Sequence, residues 1–448
     1  MRQPQLGYGL VLILTSIASL TAQTRGVIVD NGTKKVIVFN ADTDAVIGSV
    51  TLPFRPSSMG DCTVTQDQTQ AFVTDFLSHV WAINLSPPSL TGAPNPIPIS
   101  NVGEDTSLSP NGKHVVACDG GAAQPVSVID VASRTQIGTL FTGSGDCNSV
   151  DVAKSGSVLV TSSTSANVRR LTIDGAGTLT NTGEVLAAGG EPNNVVAAPN
   201  SASGVVINRD AENIRSFTVP GLSAVDTRTI SGFGISGVFN LAGDQLFVRD
   251  NSAKVSVFSY NPATAAIGST PLFIIPIAPT PTFFGMDQMA IHPNSNKLYV
   301  SQPGSVQVFN ATTGALITTM TSPDISSPTG ICLAACTPPV INNATVSQAT
   351  LWPPTQKMVK ITVGYDHPGN CPSTCTLSVS SNEPVDGHGD GHAAPDWVVV
   401  DSTHVQLRAE RSGTGNGRIY TITITCTNTA GQSSTATTTV SVPRNQVQ

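Results

Sequence analysis

Charge is scarce in this chain: Asp, Glu, Lys and Arg together make up 11% of its 448 residues, and aromatic residues only 5%. Long amphipathic helices need Leu, Glu, Lys and Arg recurring on set faces, and this composition does not supply them. No basic run occurs and the formal net charge is −7. That sets nucleic acid aside as a partner, because phosphate binding needs clustered Lys and Arg. CxxC, CxxCH and GxSxG are all absent, which removes the usual zinc, c-type haem and serine-hydrolase signatures. His79, His114 and His292 fall at different strand registers, so they are not expected to converge on a redox metal.

What is abundant is turn and strand chemistry: Gly 40, Pro 31 and much Ser, Thr and Val. Arg2, an apolar core from Leu10 to Leu20 and small residues ending at Ala22 read as a secretory signal over residues 1–22. The run is too short for a comfortable membrane span, and no later stretch reaches that length. The expectation is a secreted or cell-surface protein with no transmembrane segment. Its eight cysteines then meet an oxidising compartment and are expected in disulfides rather than on a metal.

A short segment recurs as Gly26-VIVDN, Gln70-AFVTDF, Lys113-HVVACD, Ser157-VLVTSS, Gly204-VVINRD, Gln245-LFVRDN and Lys297-LYVSQP. Each reads as a half-buried strand alternating apolar and polar residues. A second strand follows each, from Val36-IVFNADT and Val80-WAINLSP through Val306-QVFNATT. A third strand precedes, ending in a tight turn around Gln66, Pro110, Lys154, Pro199, Ala242 and Pro293, spaced by 44, 44, 45, 43 and 51 residues. A four-stranded propeller blade repeats at about 40–50 residues. Ala45-VIGSVTL, Thr135-QIGTLFT and Gly314-ALITTMT fit the outer edge. The chain enters at a second strand and Pro328-TGICLAAC is an innermost strand with nothing after it, so the two ends are expected to close one blade. The fold class is therefore all-β, a seven-bladed β-propeller over residues 25–336. Strand pairs such as KLYVSQPGSVQVFNATTGALI resemble the YVTN-repeat propellers of bacterial secreted and surface-layer proteins.

After Pro338-Pro339 the period stops. Residues 340–443 hold Thr- and Val-rich strands, including Lys357-MVKITVGY, Cys375-TLSVSS, Val405-QLRAER and Ile419-YTITITCT. About a hundred such residues indicate an immunoglobulin-like β-sandwich. Leu351-WPP, Asn382-EPVDGHGDGHAAPDW and Arg408-AERSGTGNGRIYTITITCTNTAG resemble a hyalin-repeat-like, immunoglobulin-like module at the C-terminus of bacterial secreted proteins. That resemblance implies an adhesive or spacer role and no catalysis. Cys426 is expected to bond Cys375 or Cys371, with Cys375 preferred, and a Cys118–Cys147 bridge fits the propeller.

Aligned on the turns, Asp146 and Glu191 share one register, Glu104 and Asp287 another, and Asp61 and Asp105 a third. Together they place carboxylates near one mouth of the channel, where calcium, another divalent cation or a polyhydroxylated ligand can be held through oxygen. A channel lined by solvated polar residues is the plainer alternative. In the loop Asp386-GHGDGHAAPD, alternating glycines let Asp386, His388, Asp390 and His392 fold around an ion. The resembled module is commonly acidic at position 392, so His392 turns the preference toward zinc or copper; an exposed turn is the alternative. Glu383 and Asp396 either complete that site or tie the loop to Arg408 or Arg411. No cofactor is certain. The leading expectation is a non-catalytic binding or adhesion protein, with a protein or glycan ligand and an association with the cell envelope. A lactonase-like hydrolase using the channel-mouth carboxylates and a divalent ion, and a purely structural surface protein, are the alternatives.

Overall fold

The computed structural model describes residues 24–52, 60–100, 103–120, 125–143, 145–278, 288–293, 295–334, 339–367, 373–385, 394–428 and 433–445. The expected signal segment, Asp287, Cys336, Cys371 and the loop bearing Asp386, His388, Asp390 and His392 lie outside the described residues. Within them every regular element is a strand, and no helix is long and apolar enough to cross a membrane.

Residues 25–333 form seven successive antiparallel sheets among the described residues. In the fifth, Pro192–Ala197, Ser203–Asn208, Asn213–Thr218 and Ala224–Thr229 follow one another from the inner to the outer edge. The second sheet differs at its outer edge, where Pro88–Leu90 and Ile97–Pro98 both pair with His79–Leu85. The first strand of each sheet lies beside that of the next, and that of the seventh sheet returns to that of the first. The turns behind the first strands use left-handed backbone, with φ of 68° at Gly112, 83° at Gly156 and 73° at Gly243, which glycine adopts without a Cβ clash.

The recurring segments are buried on both faces instead of alternating. Val27 and Val29 pack with Val64, Val73 and Trp81 of the second sheet, while Ile28 packs with Tyr299 and Val308 of the seventh. All three are fully buried, because each sheet has a neighbour on either side. A fully buried Val or Ile contributes about 1.5–3 kcal/mol, so the packed sheet faces, more than the turns, hold this part together.

The last strand, Pro328–Leu333, pairs antiparallel with the first, Arg25–Asp30, with Gly26 opposite Leu333 and Ile28 opposite Ile331. Buried Asp30 fastens the join: its Oδ2 accepts the amides of Ser326 and Ser327, both at 2.8 Å. A Cys62–Cys332 disulfide ties the same strand to the second sheet, a pairing the sequence analysis did not anticipate. The Cys118–Cys147 bridge is present between the third and fourth sheets.

Residues 342–443 form two further sheets. One orders Asn342–Val346, Met358–Asp366, His404–Arg408 and Trp397–Val399; the other holds Ser373–Ser381, Gly417–Asn428 and Ser433–Pro443. They share one apolar core of Ile361, Val405 and Leu407 against Tyr420, Ile422 and Val440. Cys375 lies opposite Cys426 in register, and the two are bonded.

Candidate functional site

An inner strand at the centre of such a ring has backbone N–H groups with no fifth strand to meet them, and buried amides must find acceptors. Short polar side chains of the preceding sheet supply these. Asp105 Oδ2 accepts Val150 N at 2.8 Å and its Oδ1 accepts Thr106 N at 2.7 Å. Ser149 Oγ accepts Val195 N at 3.2 Å, Asn194 Oδ1 accepts Gly237 N at 3.0 Å, and Asp151 Oδ2 accepts Ala197 N at 2.8 Å. Asp61 and Asp105 are 0% and 1% exposed and hydrogen-bonded to each other. Burial pushes the Asp105 carboxyl up, the bonds from Asp61 and Val150 only partly opposing it. Asp151 is pushed up to about 6, by burial first and by the nearby Asp105 charge. Asp105 thus spends its oxygens on one amide of its own strand and one of the next sheet.

Glu104, Asp146 and Glu191 sit differently. Each faces the turn that follows the second strand of its own sheet, and all three are half-buried. Glu104 lays its carboxylate against Gly120. Asp146 accepts from Ser162 Oγ at 3.0 Å, Thr164 N at 3.0 Å and Ser163 Oγ. Burial works against its charge, yet these bonds outweigh it and hold the carboxyl below the usual carboxylate range. Glu191 receives Arg209 Nη2, and Arg209 Nε reaches Asp210 Oδ1 at 3.1 Å. Burial and the hydrogen bond to Asp210 push Glu191 up, while Asp210 is held down by that same bond and by Arg209. Two neighbouring carboxyl groups pushed in opposite directions beside a guanidinium can divide the roles of acid and base in one site.

No family model matches the chain, and no curated protein matches it. Solved structures do. A protein of unknown function from Desulfotomaculum acetoxidans superimposes with a TM-score of 0.61 at 20% identity, covering 69% of this chain and 99% of its own. A candidate 6-phosphogluconolactonase from Bacteroides uniformis gives 0.58 at 14% identity, over 70% of this chain and all of that one. The periplasmic gluconolactonase of Pseudomonas aeruginosa gives 0.51 at 13%, over 70% and 99%. The likeness is one of fold. The chain is all-β with repeated four-stranded sheets, and the structures it resembles are β-propeller-like.

Among the described residues no group of three or more His, Cys, Asp or Glu gathers to hold a metal ion. Among the described residues the carboxylates of Glu383 and Asp396 pair with neither Arg408 nor Arg411, although Arg408 N donates to the Asp396 carbonyl at 2.8 Å. Both carboxylates bind Arg418, a residue the sequence analysis did not single out: Nε lies 3.3 Å from Glu383 Oε2, and Nη1 contacts Asp396 and sits 3.4 Å from Glu410 Oε1 and 3.2 Å from Tyr420 Oη. Arg408 instead donates to the carbonyls of Pro395 and Gln356. Arg209 and Asp210 were also missed, although they stand in the recurring segment Gly204-VVINRD, where two opposite charges at a turn are the available signal.

Proposed function

We propose that residues 25–336 are a seven-bladed propeller acting as a hydrolase of small lactones outside the cytoplasm, with residues 340–443 as an immunoglobulin-like spacer. One observation carries the chemistry: the Glu191–Asp210 carboxyl pair bridged by Arg209 on the ring face, one carboxyl pushed up and the other held down. Ionised Asp210 takes a proton from water as the water oxygen attacks the lactone carbonyl. Glu191, the carboxyl pushed up, serves as the acid that delivers a proton to the ring oxygen as the C–O bond breaks, and the product is the open hydroxy acid. Arg209 holds the two carboxyl groups in register. Asp146, in the same register on the neighbouring sheet, and Glu104 on the sheet before it supply acceptors for the hydroxyl groups of a sugar lactone.

The naming of two similar folds as lactonases supports this choice over the adhesive one, and so does a pair of carboxyl groups whose pKa values are pushed in opposite directions. The cyclic order of the seven inner strands supports the blade count, and the disulfides support an extracytoplasmic location. The YVTN-type and hyalin-type resemblances stand with this proposal, as does a signal at residues 1–22. A divalent cation at the channel mouth would draw on Asp146 and Glu191, and running each assay with and without chelator separates that version.

The test is release of acid from glucono-δ-lactone and a panel of γ-lactones in a pH-stat, corrected for spontaneous opening. Glu191→Gln is expected to lower kcat/KM by about a hundredfold. A folded protein that opens no lactone above the spontaneous rate overturns the hydrolase reading and returns the propeller to a binding role.

A further inference from the structure

Arg249 closes the second strand of the sixth sheet, Gln245–Asp250. At the matching place in other sheets stand short side chains that cap an inner strand: Thr74 Oγ1 accepts Asp61 N at 2.9 Å and Thr161 Oγ1 accepts Ser149 N at 3.0 Å. Nothing in that task requires a guanidinium. Arg249 is nevertheless 0% exposed. Phe247, two residues before it, packs against Leu298 and Val300, so this side of the strand faces the seventh sheet. Nη1 is used there, donating to Ser301 O at 2.7 Å and to Ser301 Oγ at 3.0 Å. Nε and Nη2 are buried without an acceptor.

Two further buried groups stand on the faces that the sixth and seventh sheets turn toward each other. Ser236 lies directly across the ladder from Arg249, and its Oγ has no partner. Gln302, on the facing sheet, has its orientation set by Ala278 N, which donates to its Oε1 at 2.9 Å, leaving Nε2 unpartnered. Every one of these atoms is a donor or able to donate. Among the described residues Arg249 forms no ion pair: Asp250, whose charge reaches it, takes Ser252 N at 2.9 Å on its Oδ1, and its buried Oδ2 has no hydrogen-bond partner. Burial lowers the Arg249 pKa to about 10, which leaves it cationic at neutral pH. A buried cation without a counter-ion costs several kcal/mol, and a neutral water does not offset that.

We propose that the gap between the sixth and seventh sheets is an oxyanion site, in which Arg249, Ser236 and Gln302 grip a carboxylate or phosphate group. The site lies at the same end of the sheets as Glu191 and Asp146 but stands independently of the hydrolase reading, since a receptor for acidic ligands would use it equally.

The test uses the full chain in a low-chloride buffer, with melting followed while sodium phosphate or sodium gluconate is titrated against sodium chloride of matched ionic strength. A saturable rise in Tm beyond the chloride control is expected with at least one of them, and the arm that saturates first tells phosphate from carboxylate. Arg249→Met is expected to abolish the rise, and Gln302→Leu to weaken half-saturation by about tenfold. Should Arg249→Met not fold, Gln302→Leu and Arg249→Lys decide. No rise in the native protein, or a rise unchanged in the folded variants, overturns the site.

Discussion

Two fully buried arginines, one in each half of the chain, meet opposite surroundings. Arg418, in the two-sheet half, is enclosed by Glu383, Asp396, Glu410 and the Tyr420 hydroxyl, with its guanidinium 5.6 Å from the Tyr420 ring centre. Burial opposes its charge, but Tyr420 and Asp396 more than compensate and its pKa rises. Arg249, in the seven-sheet half, has backbone and hydroxyl acceptors on one nitrogen and none on two others. The first is a charge cluster in which three carboxylates surround one guanidinium, although Asp396 Oδ1 and Glu410 Oε2 are themselves buried without a hydrogen-bond partner. The second is a set of buried donors without acceptors, and folded proteins leave such groups unpartnered only rarely.

The sharpest way to break this comparison is Arg418→Met. Buried Asp396 and Glu410 would lose their cation, so the C-terminal half is expected to lose about 3–5 kcal/mol. Denaturant unfolding of the two halves measures it, and a loss below about 1 kcal/mol would remove the contrast.

A medium effect separates the halves by pH. Burial, reinforced by the Asp396 charge and opposed by Arg418 and Arg408, pushes Glu410 up to about 7; Asp151 in the ring is pushed up to about 6. Both folded values lie above the ordinary carboxyl range of about 4. Each group therefore binds protons more tightly when folded, and its contribution is complete below about pH 4 and lost as pH rises through the folded pKa. Glu410→Gln is expected to flatten the fall in Tm up to about pH 7, and Asp151→Asn to flatten it only up to about pH 6. Melting curves from pH 4.5 to 8 check both, and unchanged slopes would count against the two assignments.

The smallest effect is expected from Arg249→Met without added anion. No carboxylate is left unpaired, so the change should lie within about 1 kcal/mol or stabilise slightly. A loss as large as that of Arg418→Met would mean that the guanidinium is structural.

Much of the fold was legible because the tandem strands carry their period in plain residues. Gly112, Gly156 and Gly243 mark turns that only a few residue types adopt, and Cys375 and Cys426 stand at matching ends of two strands. The Cys118–Cys147 bridge followed from the same bookkeeping of strand ends. Cys62–Cys332 did not, because it joins residues 270 positions apart whose nearness exists only once the ring has closed. The candidate site was half legible. Asp146 and Glu191 fell in one register, and both face the turn after their second strand. Asp61 and Asp105 shared the acidic signature and were read with them, yet Asp105 spends its oxygens on backbone amides, a need that local sequence does not display.

By itself the sequence determined which segments are strands, where the turns fall and how often the unit recurs, since apolar runs and turn residues act over a few positions of chain. Only the tertiary structure decided which charges are enclosed, which carboxyl is pushed up beside its neighbour and which buried arginine forms no ion pair among the described residues. Those are properties of distance and burial, and both are set by side chains far apart along the chain.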